Sequence, residues 1–160
     1  MRGGTDVRFA FTSYGERANV IIMENSRHRR VDKPVNDGYL YLDGTGVMDF
    51  ALNDTVDVVR NFLTGVGLQK DDIDLFACHQ ANKLIINSLA DSLQVPKERV
   101  PFTAGEIGNE SSASIPLVLT EKANEMKLNR TLCVGFGVGL SIGIALADFS
   151  QTVFYGVSEL

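Results

Sequence analysis

His79 and Asn109 lie 30 residues apart, each inside a short polar island: His79-Gln80-Ala81-Asn82 and Gly108-Asn109-Glu110-Ser111. Each island stands where a strand-like apolar run gives way to a helix-like pattern. Polar groups clustered at the C-terminal end of a strand mark the usual site in open α/β sheets. An imidazole and a carboxamide presented together can donate two hydrogen bonds to one substrate oxygen and stabilise charge developing on it. Taken singly, each residue has an ordinary explanation, a core histidine satisfied by backbone and a loop asparagine capping a helix. The small residues around Asn109 allow close backbone approach and leave room for a ligand.

A third feature, Gly135-Phe136-Gly137-Val138-Gly139, lacks the Lys-Ser/Thr ending and downstream helix of a phosphate loop. A tight turn between two strands explains it, and so does a backbone N–H aimed at an oxyanion. No nucleophile stands beside these groups. Cys78 precedes His79 directly, so an extended backbone points the two side chains to opposite sides. Cys133 falls in mid-strand, and both cysteines read as core thiols. Two histidines with no acidic cluster beside them argue against a zinc site.

The elements that must hold these residues follow from periodicity. Residues 8–11 and 19–23 read as short strands around a turn at Gly15, followed by a polar connection from Asn25 to Gly38 that contains Pro34. Leu52, Val56, Val59, Leu63 and Val66 recur every three or four positions, which predicts an amphipathic helix over 47–66 ended by Gly65 and Gly67. Residues 73–77 form a buried strand and 84–93 a second helix keyed on Ile85, Leu89 and Leu93. A third helix begins in the serine-rich segment 111–116, where Pro116 suits a first turn, and runs to about Lys127. Strands at 131–136 and 140–147 close the pattern. The last alternates Leu140, Ile142, Ile144 and Leu146 with Ser141, Gly143, Ala145 and Ala147, so something packs closely on its small face.

At 160 residues the chain is the size of one domain, and 44% hydrophobic against 22% charged residues is a globular balance. A net charge of −5 argues against nucleic acid or an anionic membrane as partner. The basic run Arg27-His28-Arg29-Arg30 is flanked by Glu24 and Asp32 and reads as a solvated turn. The first residues lack the apolar core of a signal peptide, no apolar run approaches a membrane span, and two cysteines are too few for a disulfide framework. The expected address is cytoplasmic.

Two further segments join the three features in a fixed order, Tyr14-Gly15-Glu16-Arg17-Ala18 and Asp43-Gly44-Thr45-Gly46-Val47-Met48-Asp49-Phe50-Ala51. Together the five resemble the C-terminal half of the 3-oxoacyl-[acyl-carrier-protein] synthase III family, within the thiolase superfamily. The first is similar to that family's Phe-Gly-Asp-Gly-Ala, the second to the segment opening its interfacial helix. The polar islands match its histidine and asparagine motifs, and the glycine run its terminal loop. The resemblance implies an α/β fold, the C-terminal half of a thiolase-like fold with a mixed β-sheet covered by helices. Residues 1–160 would form that single domain, and the N-terminal half bearing the nucleophile is absent.

The implied reaction is a decarboxylative Claisen condensation of an acyl thioester with a malonyl thioester, in fatty-acid or related acyl-chain biosynthesis. By the resemblance, a neutral His79 and Asn109 donate to the malonyl thioester carbonyl, a backbone N–H around Gly137, Val138 and Gly139 holds the tetrahedral oxyanion, and Asn82 contacts the pantetheine arm. No cofactor is implied beyond the coenzyme A or acyl-carrier-protein thioesters that are the substrates, and a homodimer is. Without its nucleophilic cysteine the chain alone should be inactive. Arg17, Glu110 and Val138 depart from family positions that are small or uncharged. A basic residue is common where Asp49 stands and an arginine where Leu84 stands, and Asp91 adds negative charge. That face should attract an acidic carrier poorly, although Lys83 offsets it in part, which points to coenzyme A thioesters or a non-standard carrier. Two other readings are a non-catalytic partner shaping another chain's pocket and a thiolase-type transferase using Cys133 as base.

Overall fold

The structure, a computed structural model, describes residues 6–25 and 38–157; the Arg27–Arg30 run and Pro34 lie outside them. The strands are β1 (Arg8–Ser13), β2 (Ile21–Met23), β3 (Leu40–Leu42), β4 (Leu75–Cys78), β5 (Thr131–Gly137) and β6 (Ser141–Ala147). The helices are α1 (Gly44–Asp49), α2 (Thr55–Gly65), α3 (Lys83–Leu93) and α4 (Ser114–Lys122). One sheet runs in the order β1-β6-β5-β4, with β4 and β5 parallel and the other pairs antiparallel. β2 and β3 form a separate two-stranded ribbon. The expected mixed sheet is present.

Helices cover one sheet face over β4, β5 and most of β6. Phe76, Cys78, Leu132, Val134, Phe136, Ile142 and Ile144 pack against Val56, Val59 and Leu63 of α2 and Ile85, Ile86, Leu89 and Leu93 of α3. These helical positions recur every three or four residues, so each helix turns one apolar stripe inward. Each large buried side chain contributes about 1.5–3 kcal/mol. On the opposite face Leu75, Ala77 and Cys133 pack against Val118 and Leu119 of α4 and against Leu128. Register places Gly143 and Ala145 on this second face, beside Phe11 and Phe9 of β1. The Phe11 ring lies 3.1 Å from where a Cβ on Gly143 would sit, which accounts for the small residues of β6. No described element covers these two rings, and Phe9 and Phe11 are 67% and 78% exposed. The α4 side of the sheet is therefore half finished.

The first helix starts earlier than the apolar periodicity predicts. Asp43 caps α1 by accepting from the Thr45 and Gly46 N–H groups, and a wide π segment at Phe50–Asp54 continues into α2. Buried Thr55 directs both its N–H and its hydroxyl to the Phe50 carbonyl, which satisfies the group the wide turn would leave open. Arg17, in the 3-10 turn Gly15–Val20, bridges Asp49 (2.7 Å) and Asp54 at the two ends of that segment. Its guanidinium also sits over the Phe50 ring, 5.7 Å from the centroid. The third helix stops at Lys122, short of the expected Lys127, because the chain turns there to bring Leu128 into the core against α4.

Candidate active site

His79 follows β4 directly and extends its parallel pairing, donating its N–H to the Val134 carbonyl at 2.8 Å. The half-buried ring meets Phe136 edge-on, with centroids 5.3 Å apart and planes at 78°. Its Nδ1 lies 2.9 Å from the hydroxyl of Ser114, the first residue of α4. That hydroxyl also lies 2.6 Å from the Ser111 carbonyl and accepts from the Gln80 N–H at 3.3 Å. Burial pushes the His79 pKa below the ordinary 6.5, with the Ser111 carbonyl acting in the opposite sense.

Gln80 is 1% exposed and serves the scaffold. Its amide nitrogen donates to the Cys78 carbonyl (3.0 Å) and the Pro101 carbonyl (3.2 Å), and its oxygen accepts from the Thr103 N–H (2.9 Å). One buried amide thus ties the end of β4 to the loop that leads to Asn109. That asparagine accepts the Ser111 N–H on Oδ1 at 2.9 Å, an Asx turn that leaves the donor end of its amide uncommitted.

His79 and Asn109, far apart in sequence, line one cleft of about 850 Å³. Gly137 and Val138 line it too, together with Ser111, Ile115 and Phe136. Gly139 and Asn82 lie outside this lining. Gly139 makes the β5–β6 turn at φ +142°, where a Cβ would collide with Ser141. Asn82 caps α3, accepting the Ile85 N–H at 2.9 Å. Sequence reasoning missed Ser114, whose only local signal is its place among serines equally suited to capping. Cys78 is fully buried and Cys133 half-buried, and burial pushes their thiols up to about 12 and about 11. Neither lines the cleft, so neither serves as its nucleophile or base. Among the described residues no group of three or more metal-ligating side chains occurs.

Asp49 and Asp91 are not free charges. Asp49 is held by Arg17, and Asp91 lies 3.6 Å from Lys97. Leu84 is exposed.

A mixed sheet with two polar side chains lining a cleft beside a glycine turn, and with one face half open, is the C-terminal half of a thiolase-like fold. Comparison with known proteins gives the family. The family model described as 3-oxoacyl-[acyl-carrier-protein (ACP)] synthase III C terminal matches residues 63–149, more than half of the chain, and the chain belongs to that family. The beta-ketoacyl-[acyl-carrier-protein] synthase III of Streptococcus gordonii is 37% identical over 113 residues, covering 68% of this chain and 35% of the relative. The solved synthase III of Thermus thermophilus superposes with a TM-score of 0.80 at 33% identity, over 91% of this chain and 47% of that one. A priming beta-ketosynthase of the R1128 polyketide pathway gives 0.74 at 34% identity, over 88% and 44%. The chain spans about a third to a half of the length of these proteins.

Proposed function

We propose that this chain is the C-terminal catalytic half of a synthase III-type acyltransferase that condenses an acyl thioester with a malonyl thioester, in fatty-acid or related acyl-chain biosynthesis. The observation that carries this reading is the cleft itself, which brings His79 and Asn109 together with the donor end of the Asn109 amide free. In the proposed step both residues hydrogen-bond the malonyl thioester carbonyl. The electrons of the breaking carbon–carboxylate bond pass into that carbonyl as carbon dioxide leaves, and the resulting carbanion attacks an acyl-cysteine supplied by the N-terminal half. A backbone N–H of the Gly137-Val138-Gly139 turn holds the tetrahedral oxyanion, and Asn82 meets the pantetheine arm. Each donor is worth about 3–4 kcal/mol in the transition state.

A non-catalytic partner has no need of both donors, which favours the enzymatic reading. The uncovered Phe9 and Phe11 support a docked N-terminal half, and we assign the complete protein as a homodimer on the strength of the family resemblance. Coenzyme A thioesters or a non-standard carrier remain our assignment for the substrates. Because Asp49 and Asp91 are ion-paired, its support is the absence of basic side chains at 49 and 84 rather than free negative charge. We assign a cytoplasmic address; among the described residues no helix is long and apolar enough to cross a membrane.

The test is carbon dioxide release from a malonyl thioester by the complete protein. His79→Ala and Asn109→Ala should each lower it at least about a hundredfold. Near-normal turnover in either would sink the assignment. The 160-residue chain alone should take no label from an acyl thioester, since both of its thiols are protonated and lie off the cleft.

A further inference from the structure

We propose that Val138 is a specificity-determining residue, whose isopropyl group excludes thioesters carrying a methyl branch on the carbon next to the reacting carbonyl. Val138 is 70% exposed and lines the same cleft as His79 and Asn109. Phe136 and Ile142 line that cleft too, but at 8% and 1% exposure they belong to the core. Val138 stands between Gly137, where an added Cβ would meet nothing within 4 Å, and Gly139, where one would collide with Ser141. The turn is pinned from β1: the Tyr14 N–H donates to the Leu140 carbonyl at 2.8 Å, and the Ser13 and Ser141 hydroxyls lie 3.1 Å apart. The Val138 side chain is thus a fixed apolar wall with open space beside it.

In the proposed function a tetrahedral oxyanion sits on an N–H of this turn, and the role of Val138 rests on that reading. Such a donor lies about 2.7–3.1 Å from the oxygen it holds. Bond lengths then place the α-carbon of the acyl-cysteine within about 6 Å of the N–H. Reacting carbons approach to about 3–3.5 Å, which places the α-carbon of the malonyl unit within about 8 Å. A valine Cβ stands about 2.5 Å from its own nitrogen, and its branched side chain has little rotamer freedom. Its methyl groups therefore occupy the volume into which a branch on either carbon would project. An unbranched thioester presents only hydrogens there. The excluded chemistry is an α-methyl branch, carried either by the primer, as in an isobutyryl thioester, or by the extender, as in a methylmalonyl thioester.

The experiment compares kcat/KM of the complete protein for propionyl against isobutyryl thioester as primer, and for malonyl against methylmalonyl thioester as extender. The readout is the ratio within each pair, so any general loss of rate from altering the turn cancels. Val138 is largely exposed, so Val138→Ala leaves the core intact. One methyl group against a fitted wall is worth about 10–200-fold in such a ratio. The wild type should prefer the unbranched member of at least one pair by about tenfold or more. Val138→Ala should shrink that preference about tenfold, and Val138→Ile should keep or widen it. A shift in the first pair puts the wall beside the primer, and a shift in the second puts it beside the extender. A wild type indifferent to branching, or ratios that Val138→Ala leaves unchanged in both pairs, would overturn the proposal. The same pairs are measured by equilibrium binding, with unreactive amide analogues of the four thioesters. If no variant releases carbon dioxide from a malonyl thioester, the proposed function falls and the binding ratios decide alone. A roughly tenfold change on Val138→Ala then keeps the role of Val138, and no change removes it.

Discussion

His79 continues a buried ladder and has its ring wedged between Ser114 and Phe136, whereas Asn109 sits on an exposed loop shaped by local backbone conformation. On the histidine side, Gln80 and Ser114 are almost fully buried, so the ring's position is inherited from the core. On the asparagine side, Gly108 at φ +82° and Ser111 at φ +52° bracket the residue, and the Asx turn aims it. A left-handed Ser111 is uncommon for a residue with a Cβ, and such conformations concentrate at functional sites. A side chain on a strand end is held by cooperative packing, while one on a loop depends on a few identifiable bonds. Damage to the supports of the first should register in stability as well as turnover, and damage to the second mainly in turnover.

Gln80 joins the two sides, and breaking it should do the most. Gln80→Ala leaves the Cys78 and Pro101 carbonyls and the Thr103 N–H without partners in a buried place, at about 1 kcal/mol or more each. Denaturant unfolding should show a loss of at least about 3 kcal/mol; under about 1 kcal/mol would mean the loop is held by something else. Asn109→Asp sharpens the contrast, because a carboxylate still accepts the Ser111 N–H but has no hydrogen to donate. Unfolding free energy should stay within about 0.5 kcal/mol while decarboxylation by the complete protein falls about a hundredfold. Equal losses in both would erase the distinction between the two sides. Gly108→Ala meets no atom within 4 Å, so its cost is that of the left-handed backbone alone, about 1–2 kcal/mol.

The smallest effect is the pH dependence carried by His79. Burial lowers its pKa below the unfolded value, so in that window the unfolded chain binds more protons than the folded one. Stability is then fully present above the ordinary value of 6.5 and falls as pH drops through the lowered folded pKa. His79→Asn should flatten that slope in unfolding curves collected across the acidic range, and an unchanged slope would place its origin elsewhere.

The elements carrying the site were legible because they are periodic. The stripes of α2 and α3, the strand before His79 and the two-faced pattern of β6 all appear where spacing puts them. What escaped is short or non-local. β3 has only three residues, too few to show alternation, the strand read at 19–23 is confined to Ile21–Met23 because Asn19 and Val20 belong to the 3-10 turn, and α1 is announced only by the Asp43 cap. The π segment depends on Thr55 reaching back to Phe50, a five-residue relation that no helical stripe displays. At the site, residue type and order were readable for His79 and Asn109. The part played by Ser114 was not, since it depends on which of several serines falls opposite a ring 35 residues earlier.

Arg17 and Asp49 were read from the sequence as two separate departures, and in three dimensions they are one. Each occupies the electrostatic vacancy the other creates, so they constrain the order in which this surface can be rewritten. Restoring a basic residue at 49 first would set two cations against each other beside Phe50 and strand the arginine. Replacing Arg17 first would leave Asp49 and Asp54 as unbalanced neighbours across the wide helical turn. Any lineage or engineer seeking a carrier-binding cation on this helix must therefore change both positions together, or traverse an intermediate worse than either end.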